Sequence, residues 1–349
     1  MNILIIGGGA IGSLLAARLA AAGHAITLLD RPQTAALLQV DGVRLVEADG
    51  RVLAPALQIV SASPELFTHT RFDLAVLAVK AFDTTAAIEP LRPYFPGATP
   101  LLSVQNGVGN EALLAERLSA PILAGSLTTP VEVLAPGHVR VARASHRLAV
   151  APWRGASQPQ QVAALFAGAG FTVQTFASGP SLKWTKLLMN MLANAQPAIL
   201  GLTPSQVFAR PELGRLEVLA WREALTVLAA RQIPLAPLAG YPMALIGALV
   251  RRLPPDLVRP FMGRFIVGGR GSKLPSLMAD IRPQPRGRSE VAWLNGAVAR
   301  QAEALGLPAP VNATFTRVLL DLVQGRASVD HWRGQPERLL AAVRGAEGS

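Results

Sequence analysis

Three glycines, Gly7, Gly9 and Gly12, stand in the spacing G-x-G-x-x-G directly after the apolar run 2–6. A short aliphatic run that breaks at glycine and opens into an Ala/Leu-rich stretch, 13–22, reads as strand, turn and helix. Such a unit can hold a dinucleotide. Gly7 permits the tight turn, Gly9 lets the backbone approach a pyrophosphate, and Gly12 lets helix and strand pack closely, while the helix N-terminus offers N–H groups to the anion. The spacing alone is a weak signal, and a glycine-rich turn without a ligand is the other reading. The flanking strand and helix, with a second strand at 25–29, supply the context that the motif requires.

Asp30 and Arg31 follow that second strand. At this place an acid accepts the ribose hydroxyls of NAD, whereas an arginine accommodates the 2′-phosphate of NADP. The two residues point in opposite directions, and a third reading has Asp30 capping the next helix with Arg31 in solvent. Lys80 follows a core strand at 73–79 and Asn106-Gly107 another at 100–105, at the carboxyl ends of strands where open α/β sheets bind ligands. Asn-Gly is also ordinary turn chemistry. Further on, Lys186, Asn190 and Asn194 recur every four residues, which on a helix keeps them within an arc of about 80°. On an otherwise apolar helix they are either paired inside the core or directed into a cavity, because unpaired burial costs on the order of 1–3 kcal/mol per group.

The whole chain narrows these choices. Its 349 residues suffice for two domains with separate cores, and 50% hydrophobic content excludes a disordered or fibrous chain. The absence of cysteine removes disulfides, thiolate metal sites and cysteine nucleophiles. His24, His69, His138, His146 and His331 show no metal-ligand spacing, so no metal site is expected. A net charge of +11 invites a nucleic-acid partner, but the basic residues are scattered without interleaved aromatics. Neither nucleic acid nor a membrane is therefore expected as partner, and the positive field serves to gather anionic substrate and cofactor. Only four of the 33 basic residues are lysines, Lys80, Lys183, Lys186 and Lys273; in a chain so rich in arginine, a lysine marks a place where a compact or deprotonatable ammonium is of use. The longest apolar run, near 243–250, is too short to span a bilayer, and no signal peptide is read before the first strand, so a cytoplasmic protein is expected.

Strands and helices alternate to about residue 178, and helices alone follow. The expected organisation is α/β: an N-terminal Rossmann dinucleotide-binding domain, 1–178, followed by an all-helical substrate and catalytic domain, 179–349. The first holds a helix at 34–40, a hairpin of 43–46 and 51–54, sheet continuations at 122–127, 139–141 and 147–150, a helix at 159–169 and a strand at 172–175. The second holds helices at 213–231, 241–252, 257–266, 289–305 and 312–324 and one past Pro336, with a loop at 268–271 and a short turn at 276–281. Glu290 falls in the first turn of a helix, where a carboxylate suits the dipole.

Together these residues resemble the ketopantoate reductase (2-dehydropantoate 2-reductase) family over nearly the whole chain. The matching pieces are Gly7-Gly8-Gly9-Ala10-Ile11-Gly12, Arg31, Lys80, Gln105-Asn106-Gly107-Val108-Gly109, Trp184-Thr185-Lys186-Leu187 with Asn190 and Asn194, Pro275-Ser276-Leu277-Met278-Ala279-Asp280, and Ser289-Glu290-Val291-Ala292-Trp293-Leu294-Asn295-Gly296. The resemblance implies a Rossmann domain and a helical domain with the active site in the cleft between them. It implies NADPH as cofactor, contacted by Gly7, Gly8, Gly9, Ala10, Ile11, Gly12, Arg31, Lys80 and Asn106 and through the backbone of Val131. Lys186 matches the proton donor, Asn190, Asn194 and Ser276 match substrate-binding positions, and Glu290 matches an acid that touches the cofactor or the reacting centre.

The implied reaction is hydride transfer to the C2 carbonyl of a 2-oxo acid, ketopantoate giving pantoate in pantothenate and coenzyme A biosynthesis. The developing alkoxide needs a proton and positive charge beside it, and Lys186 provides both. The chain departs from the family pattern at Asp30, which keeps NADH open. It also departs at Pro204, at Lys273-Leu274-Pro275, in two extra residues between Asp280 and Glu290, and in a longer stretch over 241–270. These differences fall at the substrate end, so another 2-oxo acid or carbonyl compound is the alternative, and a cofactor-binding sensor without turnover is a second. Monomer and homodimer are both compatible with the sequence.

Overall fold

Alternate residues of the opening run fall on opposite faces of one strand. Ile3 and Ile5 pack into one core and Leu4 and Ile6 into another, as the two-residue period of a strand requires. In the computed structural model, which describes residues 1–61, 66–67, 70–155, 158–238, 240–270, 274–282 and 284–347 and not the side chains of 265–270 and 347, this strand is paired on both edges within the main sheet of the first unit. Along the chain come β1 (Asn2–Ile6), α1 (Ala10–Ala21), β2 (Ala25–Asp30), α2 (Pro32–Asp41), β3 (Arg44–Val46), β4 (Val52–Leu53), β5 (Gln58–Ser61) and β6 (Leu74–Leu77). Then follow α3 (Thr84–Ile88), β7 (Leu101–Ser103), α4 (Asn110–Arg117), β8 (Ile122–Leu127), β9 (Val131–Ala135), β10 (His138–Val141), β11 (His146–Arg154), α5 (Pro159–Gly168) and β12 (Phe171–Thr175).

Strands β5, β2, β1, β6, β7 and β8 run parallel in that spatial order. This is the doubly wound Rossmann order, and it reverses direction between β1 and β6, where such sheets open a crevice for ligands. β11 joins antiparallel to β8, and β12 parallel to β11. The residues 139–141 do not extend this sheet. β10 pairs instead with β3 and β9 in a second sheet ordered β4-β3-β10-β9, because Val139 and Val141 share a core with Leu14, Leu15 and Leu45 on the α1 side. A buried clasp ties that layer down: Arg18 pairs with Glu47 at 2.7 Å, and the fully buried His146 meets the same carboxylate at 3.2 Å.

The contact pattern divides the chain at Lys183/Trp184, inside the helix α6 (Gly179–Met191). After it come α7 (Ala195–Leu200), α8 (Pro204–Ala209), α9 (Pro211–Ala230), α10 (Met243–Arg252), α11 (Pro255–Arg270), a 3-10 turn (Ser276–Asp280), a second 3-10 turn (Glu290–Trp293), α12 (Asn295–Ala304), α13 (Pro310–Val323), α14 (Val329–Trp332) and α15 (Pro336–Glu347). The 20-residue α9 is central, burying Leu213, Leu216, Trp221, Leu225 and Leu228 along one stripe. Its Glu223 accepts from the N–H groups of Val311 and Asn312, so a carboxylate caps α13 across the bundle. No described helix is long and apolar enough to cross a membrane.

Two expectations are corrected in this unit. The stretch 289–305 is not one helix: Leu294, at φ −104° and ψ −103°, separates the second 3-10 turn from α12. The stretch 268–271 is not a loop through Arg270, where α11 ends, because the helix continues over both glycines; Gly271 lies outside the described residues, as do Lys273 and His69.

Candidate active site

Around the turn from β1 into α1 the structure requires glycine at two positions. Gly7 has φ +106°, and a Cβ there would sit 2.7 Å from the Val79 side chain; a Cβ on Gly12 would sit 1.7 Å from the Gly7 carbonyl oxygen. At Gly9 a Cβ would meet nothing within 4 Å. The N-terminus of α1 has neither a side-chain cap nor an acid in its first turn, so its N–H dipoles and the open side of Gly9 fit a dinucleotide pyrophosphate.

Asp30 does not cap α2. Its carboxylate accepts from the Gly8 N–H at 2.5 Å and from the Arg31 N–H at 2.7 Å, while Ser13 Oγ donates to the Gly8 carbonyl at 2.9 Å. The Gly8 peptide is thus held from both sides. The Arg31 side chain is 72% exposed, with Nε 4.0 Å from Asp30. Its guanidinium is in water, available to an anion beside the glycine turn.

Lys80 stands exposed just beyond β6, at the start of the 3-10 turn Ala81–Asp83. Asn106 stands exposed just beyond β7, with its carbonyl accepting from Asn110 Nδ2 at 3.1 Å. Gly107 (φ +81°) and Gly109 (φ +106°) carry the turn into α4. Beneath, Gln105 Nε2 donates to the Val79 carbonyl at 3.0 Å and to Thr84 Oγ1 at 2.8 Å, tying the Asn106 turn to the Lys80 turn. Val131 opens β9 and is half-buried. The sequence alone assigns no role to Lys183, Glu111, Gln105 or Thr84. The one available signal was the scarcity of lysine, which pointed at Lys183 without naming its partner.

In the helical unit Lys186 and Asn190 are half-buried on α6. Asn194 does not continue that face. The helix ends at Met191, Ala193 turns left-handed at φ +46°, and Glu217 accepts the Ala193 N–H at 2.8 Å. Asn194, buried in this turn, donates to the Asn190 carbonyl at 3.0 Å and to Ser276 Oγ at 3.1 Å, and its Oδ1 accepts from the Leu277 N–H at 3.1 Å. Asn190, Asn194 and Ser276 are therefore one hydrogen-bonded constellation. Glu290 lies buried in the second 3-10 turn, whose cap Ser289 accepts from the Val291 N–H and donates to Asp280 Oδ2 at 2.8 Å. Asp280 closes the turn that Ser276 opens, so the same short segment steadies Asn194 and the entry to Glu290. Among the described residues no group of His, Cys, Asp and Glu is arranged to hold a metal ion.

Residues 3–155 match the model of the ketopantoate reductase PanE/ApbA family, and residues 181–323 match its C-terminal model, ketopantoate reductase PanE/ApbA C terminal. The chain is 30% identical over 331 residues to a 2-dehydropantoate 2-reductase of Halobacterium salinarum, covering 93% of this chain and 98% of that one. Among solved structures it is similar to a PanE/ApbA family ketopantoate reductase from Ralstonia eutropha JMP134, at 27% identity and a TM-score of 0.76, covering 93% of this chain and 99% of that chain. A D-mandelate dehydrogenase solved with NADH and anilino(oxo)acetate has the same fold, at 18% identity and a TM-score of 0.76 over 93% of this chain and 99% of that one. With both family models matched in order, an α/β unit of Rossmann topology followed along the chain by a helical unit, this chain belongs to the ketopantoate reductase family of oxidoreductases.

Proposed function

We propose that the protein reduces the 2-oxo group of ketopantoate to give pantoate, with NADPH as reductant, in pantothenate and coenzyme A biosynthesis. The observation that carries this reading is the match to the 2-dehydropantoate 2-reductase of Halobacterium salinarum over 93% of this chain. Bound NADPH supplies a hydride to C2 of the substrate. Gly7, Gly8, Gly9, Ala10, Ile11 and Gly12 cradle the pyrophosphate, Lys80 and Asn106 contact the cofactor from the neighbouring strand ends, and Val131 does so through its backbone.

Lys186 gives its Nζ proton to the carbonyl oxygen as the C2–O bond gains alkoxide character, and its positive charge stabilises that oxygen before the proton moves. Asn190, Asn194 and Ser276 orient the substrate. Asn194, whose Nδ2 and Oδ1 are already engaged by Asn190, Ser276 and Leu277, does so by holding these neighbours in place. Glu290 steers the ammonium or a ribose hydroxyl.

NADPH is preferred over NADH for a local reason. Both oxygens of Asp30 already accept backbone N–H groups, whereas the exposed Arg31 guanidinium suits a 2′-phosphate. The test is fluorescence titration with each cofactor followed by ketopantoate. Arg31→Ala should weaken NADPH binding about tenfold and leave NADH binding unchanged; an unaltered ratio between the cofactors would remove Arg31 from this role. A panel of 2-oxo acids separates ketopantoate from related substrates. Cofactor binding with no carbonyl compound reduced would leave a sensor.

A further inference from the structure

Lys183 is as buried as the apolar residues around it, at 2% exposure, yet it carries an ammonium. That group meets three acceptors: Glu111 Oε1 at 2.9 Å, the Gly125 carbonyl at 3.4 Å and, most closely, the Gln105 carbonyl. Two of these contacts are hydrogen bonds to backbone carbonyls, and the third is an ion pair. Glu111 is fully buried in the first turn of α4. A buried pair of this kind contributes little net stability, since well-packed apolar side chains of similar volume hold a core equally well.

An apolar pair cannot grip backbone carbonyls. Gln105 immediately precedes Asn106, in a segment where Gly107 and Gly109 both have positive φ and no side chain limits the backbone. Lys183 holds this segment at its start through the Gln105 carbonyl, and Glu111 holds it at its end from α4. The Gln105 side chain extends the tie to Val79 and Thr84, on either side of Lys80. Lys183 also lies one helical turn before Lys186 on α6, so the same bond fixes the start of the helix that carries the proposed proton donor.

We propose that the Lys183–Glu111 pair is a positioning device for the reaction, locking the Asn106 turn and the start of α6, up to Lys183, in the arrangement that turnover needs. This rests on the reading of the protein as a 2-oxo acid reductase. The partners of Lys183 are Glu111 and the Gln105 and Gly125 carbonyls, not the 7–12 turn that would carry the pyrophosphate, so loss of the pair should appear in catalysis more than in cofactor affinity.

The experiment uses the full chain and the double variant Lys183→Met/Glu111→Leu, which removes both charges and retains apolar volume. Thermal unfolding, NADPH affinity by fluorescence, and kcat and KM for ketopantoate are measured beside wild type. The expected result is a melting temperature within a few degrees of wild type, NADPH affinity within about threefold, and kcat/KM for ketopantoate lower by about tenfold or more, mainly in kcat. Retention of kcat/KM within about twofold overturns the proposal, as does a loss that vanishes when rates are counted per NADPH-binding site. If the double variant does not fold, Glu111→Gln decides, because it preserves shape while removing the charge: reduced kcat at unchanged NADPH affinity supports positioning, and unchanged kcat overturns it. Wild-type turnover in the same assay separates the two levels. Absence of any reduction by wild type overturns the functional reading and the pair's role together, whereas normal wild-type turnover with an indifferent variant overturns only the pair's role.

Discussion

At 7–12 the geometry is set by missing side chains, whereas around Asn194 it is set by side chains that arrive from far along the chain. Three glycines let β1 turn into α1 with a backbone oxygen where any other residue at Gly12 would put its Cβ. Asn194 is fixed by Ser276 and Leu277, more than 80 residues away in sequence, and Ala193 takes a left-handed backbone without being glycine. The first arrangement is a local backbone solution that excludes a side chain at Gly7 and Gly12. The second is a tertiary one, whose cost in backbone strain is offset by the Glu217 hydrogen bond. Damage to the first should abolish cofactor binding, and damage to the second should spare it.

The sharpest break between the two halves is Lys186→Ala. Turnover should fall by about 10²–10⁴-fold while NADPH affinity stays within about threefold, measured by steady-state kinetics and fluorescence titration. An equal loss of both would make this lysine structural. Gly12→Val is the mirror case: its side chain collides with the Gly7 carbonyl, so NADPH binding should be lost outright with a destabilisation of at least ~1–3 kcal/mol, read by titration and chemical denaturation.

Asn194→Ala should act more mildly, raising KM for the oxo acid and costing about 1–3 kcal/mol in stability, because the Leu277 N–H and Ser276 lose their partner. Ser276→Ala should produce a smaller version of the same change. A rise in the NADPH dissociation constant larger than the rise in KM would break the proposed division of labour.

The smallest effect belongs to the clasp at His146. Burial, with the nearby Arg18 charge, holds this imidazole below its ordinary pKa of 6.5 against the opposing pull of Glu47. Well above pH 6.5 the ring is neutral folded and unfolded, and its contribution is intact. As the pH falls, the unfolded chain takes up the proton first and the folded state loses stability until the folded pKa is passed. His146→Asn should therefore show a flatter decline of melting temperature between about pH 7 and pH 5 than wild type.

The glycine turn and the succession of strands and helices along the first unit could be read from residues in sequence because each depends on neighbours within one strand, turn and helix, whereas the sheet that 139–141 joins could not. The face shared by Lys186 and Asn190 could be read in the same way, from helical spacing. Its extension to Asn194 could not, since periodicity assumes that the helix continues, and this one stops at Met191 where Glu217 stabilises a turn. Lys183 was visible only as an unexplained lysine; Glu111, 72 positions away, gives it a reason to be buried.

By itself the sequence determined an α/β half that begins with a G-x-G-x-x-G turn, a helical half, and the residue types proposed for reduction of a 2-oxo acid. Tertiary structure decided which of them are tied together: Asp30 to Gly8, Lys183 to Glu111 and the Gln105 carbonyl, Asn194 to Ser276, Ser289 to Asp280. The physical reason is range. A turn or a helix is written in dihedral preferences and periodicity over a few residues, but a buried polar group finds its partner only after the chain has folded back on itself, and the cost of leaving that group unpaired then selects the arrangement.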